Sequence, residues 1–178
     1  ALRRDDRGLM PHLARLVRCI NSLNLQARRA RKDMIQPARF PPGGMLYRGG
    51  GLQDEHLDFY QEGLEFRAPG FLATSVEESV AKRFMVSARS RGEKVVLWRV
   101  CLDEAGATDP TCQCMHVNYV EKSNVKGEEE YLFAPYAPFT VRRVMRGTGS
   151  TTKLHIIELG AGLDSLDYSE DLPLAPCI

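Results

Sequence analysis

The sequence predicts an α+β fold with mainly antiparallel strands, and three observations carry that expectation. A helical apolar periodicity stands near the start of the chain. Several short strand-like runs follow, with helices inserted between them rather than in strict βαβ alternation. No G-x-G-x-x-G follows a strand and opens a helix, so a Rossmann-type dinucleotide site is not expected. The 178 residues suit a single domain. Residues 1–40 are expected to form a helical N-terminal part, 45–160 the core and 161–178 a tail.

From the beginning, Gly8 to about Gln26 reads as a helix, because Leu9, Leu13, Leu16, Val17, Ile20 and Leu23 recur on one face. Arg28, Arg29, Arg31 and Lys32 follow as a basic cluster of the kind that marks a solvated helix end. Pro41-Pro42-Gly43-Gly44 breaks the chain. Met45 to Arg48 is a short strand running into Gly49-Gly50-Gly51, and Asp54 to Glu62 a short helix. Gly70 to Thr74 is extended. Val76 to Arg91 is helical, with Val76, Val80, Phe84 and Ala88 on one face. Val95 to Leu102 is apolar and β-branched at its start, as a buried strand would be. Asp103 to Cys114 reads as loop, Met115 to Val120 as a strand, and Glu121 to Glu129 as a mobile loop. Tyr131 to Phe133, Phe139 to Met145 and Lys153 to Leu159 are strands, with a turn at Gly147-Thr148-Gly149. Pro173 and Pro176 suggest a tail that wraps the surface.

Composition excludes several classes of function. With 43% hydrophobic and 26% charged residues the chain has the make-up of a globular domain able to build its own core. A net charge of +1 gives no bulk field toward nucleic acid or a membrane surface. No apolar stretch reaches a membrane span, and no signal-like leader stands at the start. The first residue is Ala1, not Met, as expected of a trimmed chain or an excised domain. The five cysteines are Cys19, Cys101, Cys112, Cys114 and Cys177; they fit no disulfide framework, and a reducing, cytosolic site of action is favoured. Cys112, Cys114 and His116 cluster without a fourth ligand at zinc spacing, so no metal is expected.

Three segments carry candidate chemistry, in this order: Leu46-Tyr47-Arg48-Gly49-Gly50, an arginine on a strand ahead of glycine; Gly70-Phe71-Leu72-Ala73-Thr74-Ser75, leading into a helix; and Gly127-Glu128-Glu129-Glu130-Tyr131-Leu132-Phe133, a carboxylate cluster entering an apolar strand. Singly, each is ordinary: a surface arginine, a strand with a helix cap, a solvated turn. In this order and on these elements the set resembles the R-S-E class of mono-ADP-ribosyltransferases, which includes arginine-specific bacterial toxins and vertebrate ecto-enzymes. The resemblance runs from about Leu46 to Val141 and extends to the last strand. It implies two packed, mainly antiparallel β-sheets with NAD in the cleft between them, and an enzyme that transfers ADP-ribose from NAD to a protein arginine, releasing nicotinamide. It implies a protein partner bearing that arginine, and a toxin or secreted effector as the setting. Neither nucleic acid nor membrane is expected as a partner, and the domain is expected to be monomeric.

The residue chemistry agrees with this. Breaking the nicotinamide–ribose bond puts positive charge on the ribose carbon, as in glycoside hydrolysis. A fixed carboxylate stabilises that charge, a contribution on the order of 2.7–4 kcal/mol per key group. Glu130, where loop meets strand, is the candidate. Arg48 offers a permanent planar fork to the pyrophosphate. Gly49 permits close backbone approach, and by resemblance its N–H and C=O hold the nicotinamide carboxamide. Gly50, Phe71, Thr74 and Ser75 complete the expected NAD contacts. Glu128 orients the acceptor guanidinium and assists loss of its proton; two residues before Glu130, it shares that side of an extended chain. Glutamate rather than glutamine at that position favours an arginine acceptor. Tyr119, Lys122 and Asn124 are candidates for acceptor recognition.

The middle motif departs from the family pattern, since Ala73 stands where a serine is usual. Ser75-Val76-Glu77-Glu78 also reads as a capping box that would engage the Ser75 hydroxyl. Support for Glu130 therefore divides between Thr74 and Ser75. Two other readings stand beside the transferase: an NAD glycohydrolase using the same site, and a catalytically quiet module of this fold. Tyr60, Phe71 and Phe84 read as core side chains more readily than as NAD stacking groups.

Overall fold

The computed structural model describes residues 41–107, 117–120, 130–147, 154–163 and 166–176, together with residues 8, 9, 11, 14–16 and 19. Of the expected first helix, Pro11, Ala14, Arg15, Leu16 and Cys19 are helical; the remainder, the basic cluster and the expected loop before Glu130 lie outside the described residues.

Among the described residues from 41 onward, eight strands and two α-helices build the core. The strands are β1 (Met45–Leu52), β2 (Glu65–Arg67), β3 (Leu72–Ser75), β4 (Lys94–Cys101), β5 (Val117–Val120), β6 (Glu130–Phe133), β7 (Pro138–Met145) and β8 (Leu154–Ala161). The helices are α1 (Asp54–Leu57) and α2 (Glu78–Ser90). The expected helix over 54–62 is a single turn, and the chain turns back at Gly63 to form β2. Three residues were too few for β2 to show an alternating pattern.

The strands run in the order β2-β7-β8-β4-β1-β3-β6-β5. All the pairings are antiparallel except β4 with β8. The expected pair of packed sheets is present as two halves of this one run. β1 pairs with β4 along its whole length but meets β3 only where Tyr47 faces Ser75. On one side of that link lie five strands, on the other β3, β6 and β5. The halves fold toward each other: the rings of Phe133 in β6 and Phe139 in β7, far apart in the strand order, stand 5.1 Å apart.

Side-chain alternation explains which face meets which. In β4 the residues Val96, Trp98 and Val100 enter the main core, and Val95 and Leu97 enter a smaller one beneath α2. A strand covered on both faces reads as a near-continuous apolar run, and β4 is one. The main core gathers Phe66, Phe133 and Phe139 with Leu46, Leu72, Val141, Ile157 and Leu159, each at most 1% exposed. Each such side chain contributes about 1.5–3 kcal/mol by burial. Phe59, Tyr60 and Phe66 add edge-on ring contacts at 5.2–5.7 Å, each worth roughly 0.5–1.5 kcal/mol beyond area.

Helix α2 buries Val80, Ala81, Met85 and Ala88 against β1 and β4. The expected face included Phe84, which is instead 54% exposed. The buried stripe follows Ala81 and Met85, which leaves Phe84 at its margin. The helix lies so close to β1 that a Cβ on Gly49 would stand 1.8 Å from the carbonyl oxygen of Ala81. Only glycine permits that approach.

Candidate active site

The site forms where β3 leaves β1. Register places Tyr47, Ser75 and Glu130 in one row across three neighbouring strands, β1, β3 and β6. Directly paired residues point to the same face, with Cβ atoms about 4.5–5.5 Å apart. Glu130 is the first residue of β6 and Ser75 the last of β3, so both stand at the mouth of the split.

The ladder between β1 and β4 shows what the split leaves available. Leu102 N–H donates to the Gly44 carbonyl at 2.7 Å, one step beyond the ladder's end. Antiparallel pairs alternate between exchanging backbone bonds and turning them outward. Arg48 and Gly50 therefore exchange with β4, whereas the N–H and C=O of Tyr47, Gly49 and Gly51 point to the opposite edge. Tyr47 meets β3 there. Beyond it, the peptide groups of Gly49 and Gly51 face the side from which β3 has departed.

Two adjoining cavities occupy this region. The smaller, about 110 Å³, is lined by Tyr47, Arg48, Gly49, Ala73, Thr74, Ser75 and Glu130, with Val80, Ala81 and Phe84 of α2 as its wall. The larger, about 520 Å³, runs along Gly50 and Gly51 to Pro69, Gly70, Trp98, Arg91, Glu93 and the tail residues Ala175 and Pro176. Arg48, Gly49 and Phe84 border both. Together they reach the size of a site for a large small-molecule ligand, about 300–1,000 Å³.

Arg48 and Glu130, from distant parts of the chain, thus share one cavity. The Arg48 guanidinium donates from Nη1 to the Ala73 carbonyl at 3.0 Å, which bridges the gap between β1 and β3 and fixes the fork. The two candidate hydroxyls differ. Thr74 is 4% exposed and donates to the Tyr131 carbonyl at 2.9 Å, on the core side of β3. Ser75 stands opposite Glu130, and its Oγ accepts the Glu77 N–H at 3.0 Å. The expected capping box is not formed: α2 begins at Glu78 with Glu77 as its cap, and Glu77 makes no side-chain cap bond. The Ser75 oxygen closes a turn just ahead of the helix instead. Accepting that bond leaves the serine its own proton to donate.

Several expected residues take other places. Phe71, expected among the NAD contacts, precedes β3 and lines neither cavity. Gly50 lines the larger one. The backbone of Tyr119 is in β5, paired with Tyr131; its side chain, Lys122, Asn124, Glu128 and Glu129 lie outside the described residues, as do Cys112, Cys114, His116 and Cys177. Among the described residues no group of His, Cys, Asp and Glu is arranged to hold a metal ion, and no helix is long and apolar enough to cross a membrane.

Sequence reasoning placed Phe84 in the core and did not single out Arg91 or Glu93, yet all three border the larger cavity. Arg91 Nε and Nη2 donate to the two Glu93 carboxylate oxygens at 2.9 and 2.7 Å. Hydrogen bonding from Arg91 holds the Glu93 carboxyl below its ordinary range. Their spacing after the helix carried no signal of a shared cavity.

No protein-family model and no curated protein matches the chain. Solved structures do. The Vis toxin, an ADP-ribosyltransferase from Vibrio splendidus, is 25% identical over 69% of this chain and 50% of its own, with a TM-score of 0.50. ADP-ribosyltransferase Vis in complex with agmatine gives 27% identity over 69% of this chain and 51% of its own, with a TM-score of 0.51. The ATR domain of Salmonella SpvB shares the fold at 13% identity, over 88% and 75%, with a TM-score of 0.52. The chain spans half the length of the Vis structures it matches. With an arginine on β1, a serine ending β3 and a glutamate opening β6 in a fold shared with these proteins, the chain resembles the R-S-E class of mono-ADP-ribosyltransferases.

Proposed function

We propose that the chain is an NAD-dependent mono-ADP-ribosyltransferase that modifies a protein arginine and releases nicotinamide. The observation that carries this reading is the single cavity lined by Arg48, Ser75 and Glu130 at the split between β1 and β3. Arg48, at the neck between the two cavities, takes the pyrophosphate. The outward peptide groups of Gly49 match the donor and acceptor of the nicotinamide carboxamide. The nicotinamide–ribose bond then breaks beside Glu130. Nicotinamide leaves with the bonding electrons, and the ribose carbon carries positive charge that the carboxylate stabilises. Ser75, opposite Glu130, has a hydroxyl proton with which to hold that carboxylate in place.

Arginine as acceptor is supported by Glu128, the second carboxylate of the motif, and by the agmatine complex of Vis, since agmatine carries a guanidinium. In this reading Glu128 receives the guanidinium proton as the nitrogen bonds to the ribose carbon. A bacterial toxin-like effector acting on another protein fits the likeness to Vis.

The test uses agmatine as acceptor. Glu128→Gln is expected to lower ADP-ribosyl-agmatine formation by about 10²-fold or more while nicotinamide release from NAD stays within about twofold. Equal loss of both activities would remove the proposed division of labour. A glycohydrolase would form no agmatine adduct even before substitution. The quiet-module reading draws on Ala73 and on the Thr74 hydroxyl being taken by Tyr131; folded wild-type protein that releases no nicotinamide would favour it.

A further inference from the structure

Of the larger cavity's walls, one is made by the tail. Ala175 and Pro176 line the cavity, and so do Pro69 and Gly70, which lead into β3. Both pieces of wall are rooted at one residue, Arg67, the last of β2. Its N–H donates to the Pro173 carbonyl and its own carbonyl accepts the Ala175 N–H, each at 2.9 Å, so the tail adds itself to the outer edge of the sheet. Its guanidinium donates to three further carbonyls: Tyr136 at 3.0 Å, Tyr168 at 3.2 Å and Ser169 at 3.1 Å. Tyr136 sits in the turn between β6 and β7 with φ of 63°, a left-handed conformation unusual for a residue with a side chain. Its N–H bonds to the Ala68 carbonyl at 2.6 Å while Arg67 holds its C=O. Arg67 thus acts on these pieces in two ways: its backbone seats Pro173 and Ala175, and its side chain holds the tail at Tyr168 and Ser169 and the strained turn at Tyr136, whose N–H in turn bonds the Ala68 carbonyl ahead of β3. Ala175 is packed into the main core at 3% exposure.

We infer that Arg67 is a positioning residue for dinucleotide binding: it holds the tail so that Ala175 and Pro176 form the wall against which the adenosine half of NAD rests. This rests on the proposed function, which puts the scissile bond beside Glu130 and the pyrophosphate at Arg48, leaving the larger cavity to the other half. Arg67 lines neither cavity, so its effect passes through the wall. A lysine at the position presents a point charge in place of a planar fork and cannot span the separate carbonyls.

The test measures nicotinamide release and the binding of two half-ligands, AMP and nicotinamide, through the fluorescence of Trp98. That residue is the only tryptophan of the chain and borders the larger cavity. Arg67→Ala is expected to raise KM for NAD and Kd for AMP by about tenfold, with kcat and Kd for nicotinamide little changed, and Arg67→Lys to fall between it and the wild type. Pro176→Leu, which narrows the cavity with Arg67 unchanged and Trp98 still the only tryptophan, should weaken AMP in the same way, and it carries the test should Arg67→Ala fail to fold. A fall in kcat at constant KM, an unchanged Kd for AMP in both variants, or equal weakening of AMP and nicotinamide would each overturn the inference. Wild-type protein that binds AMP but releases no nicotinamide would defeat the enzymatic reading and leave the role of Arg67 in AMP binding to stand or fall by its own variants.

Discussion

On one side β1 pairs with β4 over all its eight residues, Met45 to Leu52; on the other it meets β3 at Tyr47 and Ser75 alone. The two edges of one strand thus do different work. Along the β4 edge the backbone bonds are satisfied within the sheet, and the side chains beneath them, Leu46, Trp98 and Val100, are almost fully buried. Along the β3 edge pairing stops after one residue, and there the chain gathers an arginine fork, a serine, a carboxylate and outward-facing glycine peptides. Stability is kept on the closed edge. Polar groups that a ligand can use are kept on the open one, where leaving β3 creates the cleft without an unsupported loop.

Substitutions can break this division or sharpen it. The largest effect is expected at the open edge from Glu130→Gln, which keeps the shape and removes the charge: nicotinamide release should fall by about 10²–10³-fold with the melting temperature unchanged. A loss of less than about threefold would detach the chemistry from this edge. Next is Arg48→Lys, which gives up the fork that reaches Ala73. KM for NAD should rise about tenfold, the worth of one charged hydrogen bond, as read from initial rates against NAD concentration. The smallest effects separate the two faces of β3. Thr74→Val should cost about 1 kcal/mol of stability in urea unfolding, by deleting the bond to Tyr131, and leave turnover unaltered. Ser75→Ala should do the reverse, slowing turnover severalfold. If Thr74→Val were the variant that lost activity, the assignment of faces would be wrong.

The strands with strong patterns were legible in the sequence. The apolar run of β4, the presence of β7 and β8 as strands and the extent of α2 within about two residues were all expected. What escaped had physical causes. β2 is three residues long and is held by pairing to β7 and by the tail, neither of which leaves a local trace. Phe84 was placed in the core because it shares helical spacing with Val80 and Ala88, but the close seat of α2 on Gly49 turns the buried stripe toward Ala81 and Met85. In the candidate site, the order arginine, hydroxyl, carboxylate was legible, and so was the ambiguity between Thr74 and Ser75. Which of the two stands opposite Glu130 depends on the register of β3 against β6, a long-range property. Gly49 teaches the same lesson differently: it was read for ligand approach, and the collision with Ala81 shows that helix packing alone demands it.

The row that joins Tyr47, Ser75 and Glu130 has a kinetic consequence. Its members are side by side in space and far apart along the chain, and contacts of that kind form only after large loops have closed. A chain emerging from the ribosome holds β1 and β3 long before β6 exists, so under the proposed chemistry it cannot cleave NAD until most of the domain has been synthesised and its distant strands have found one another.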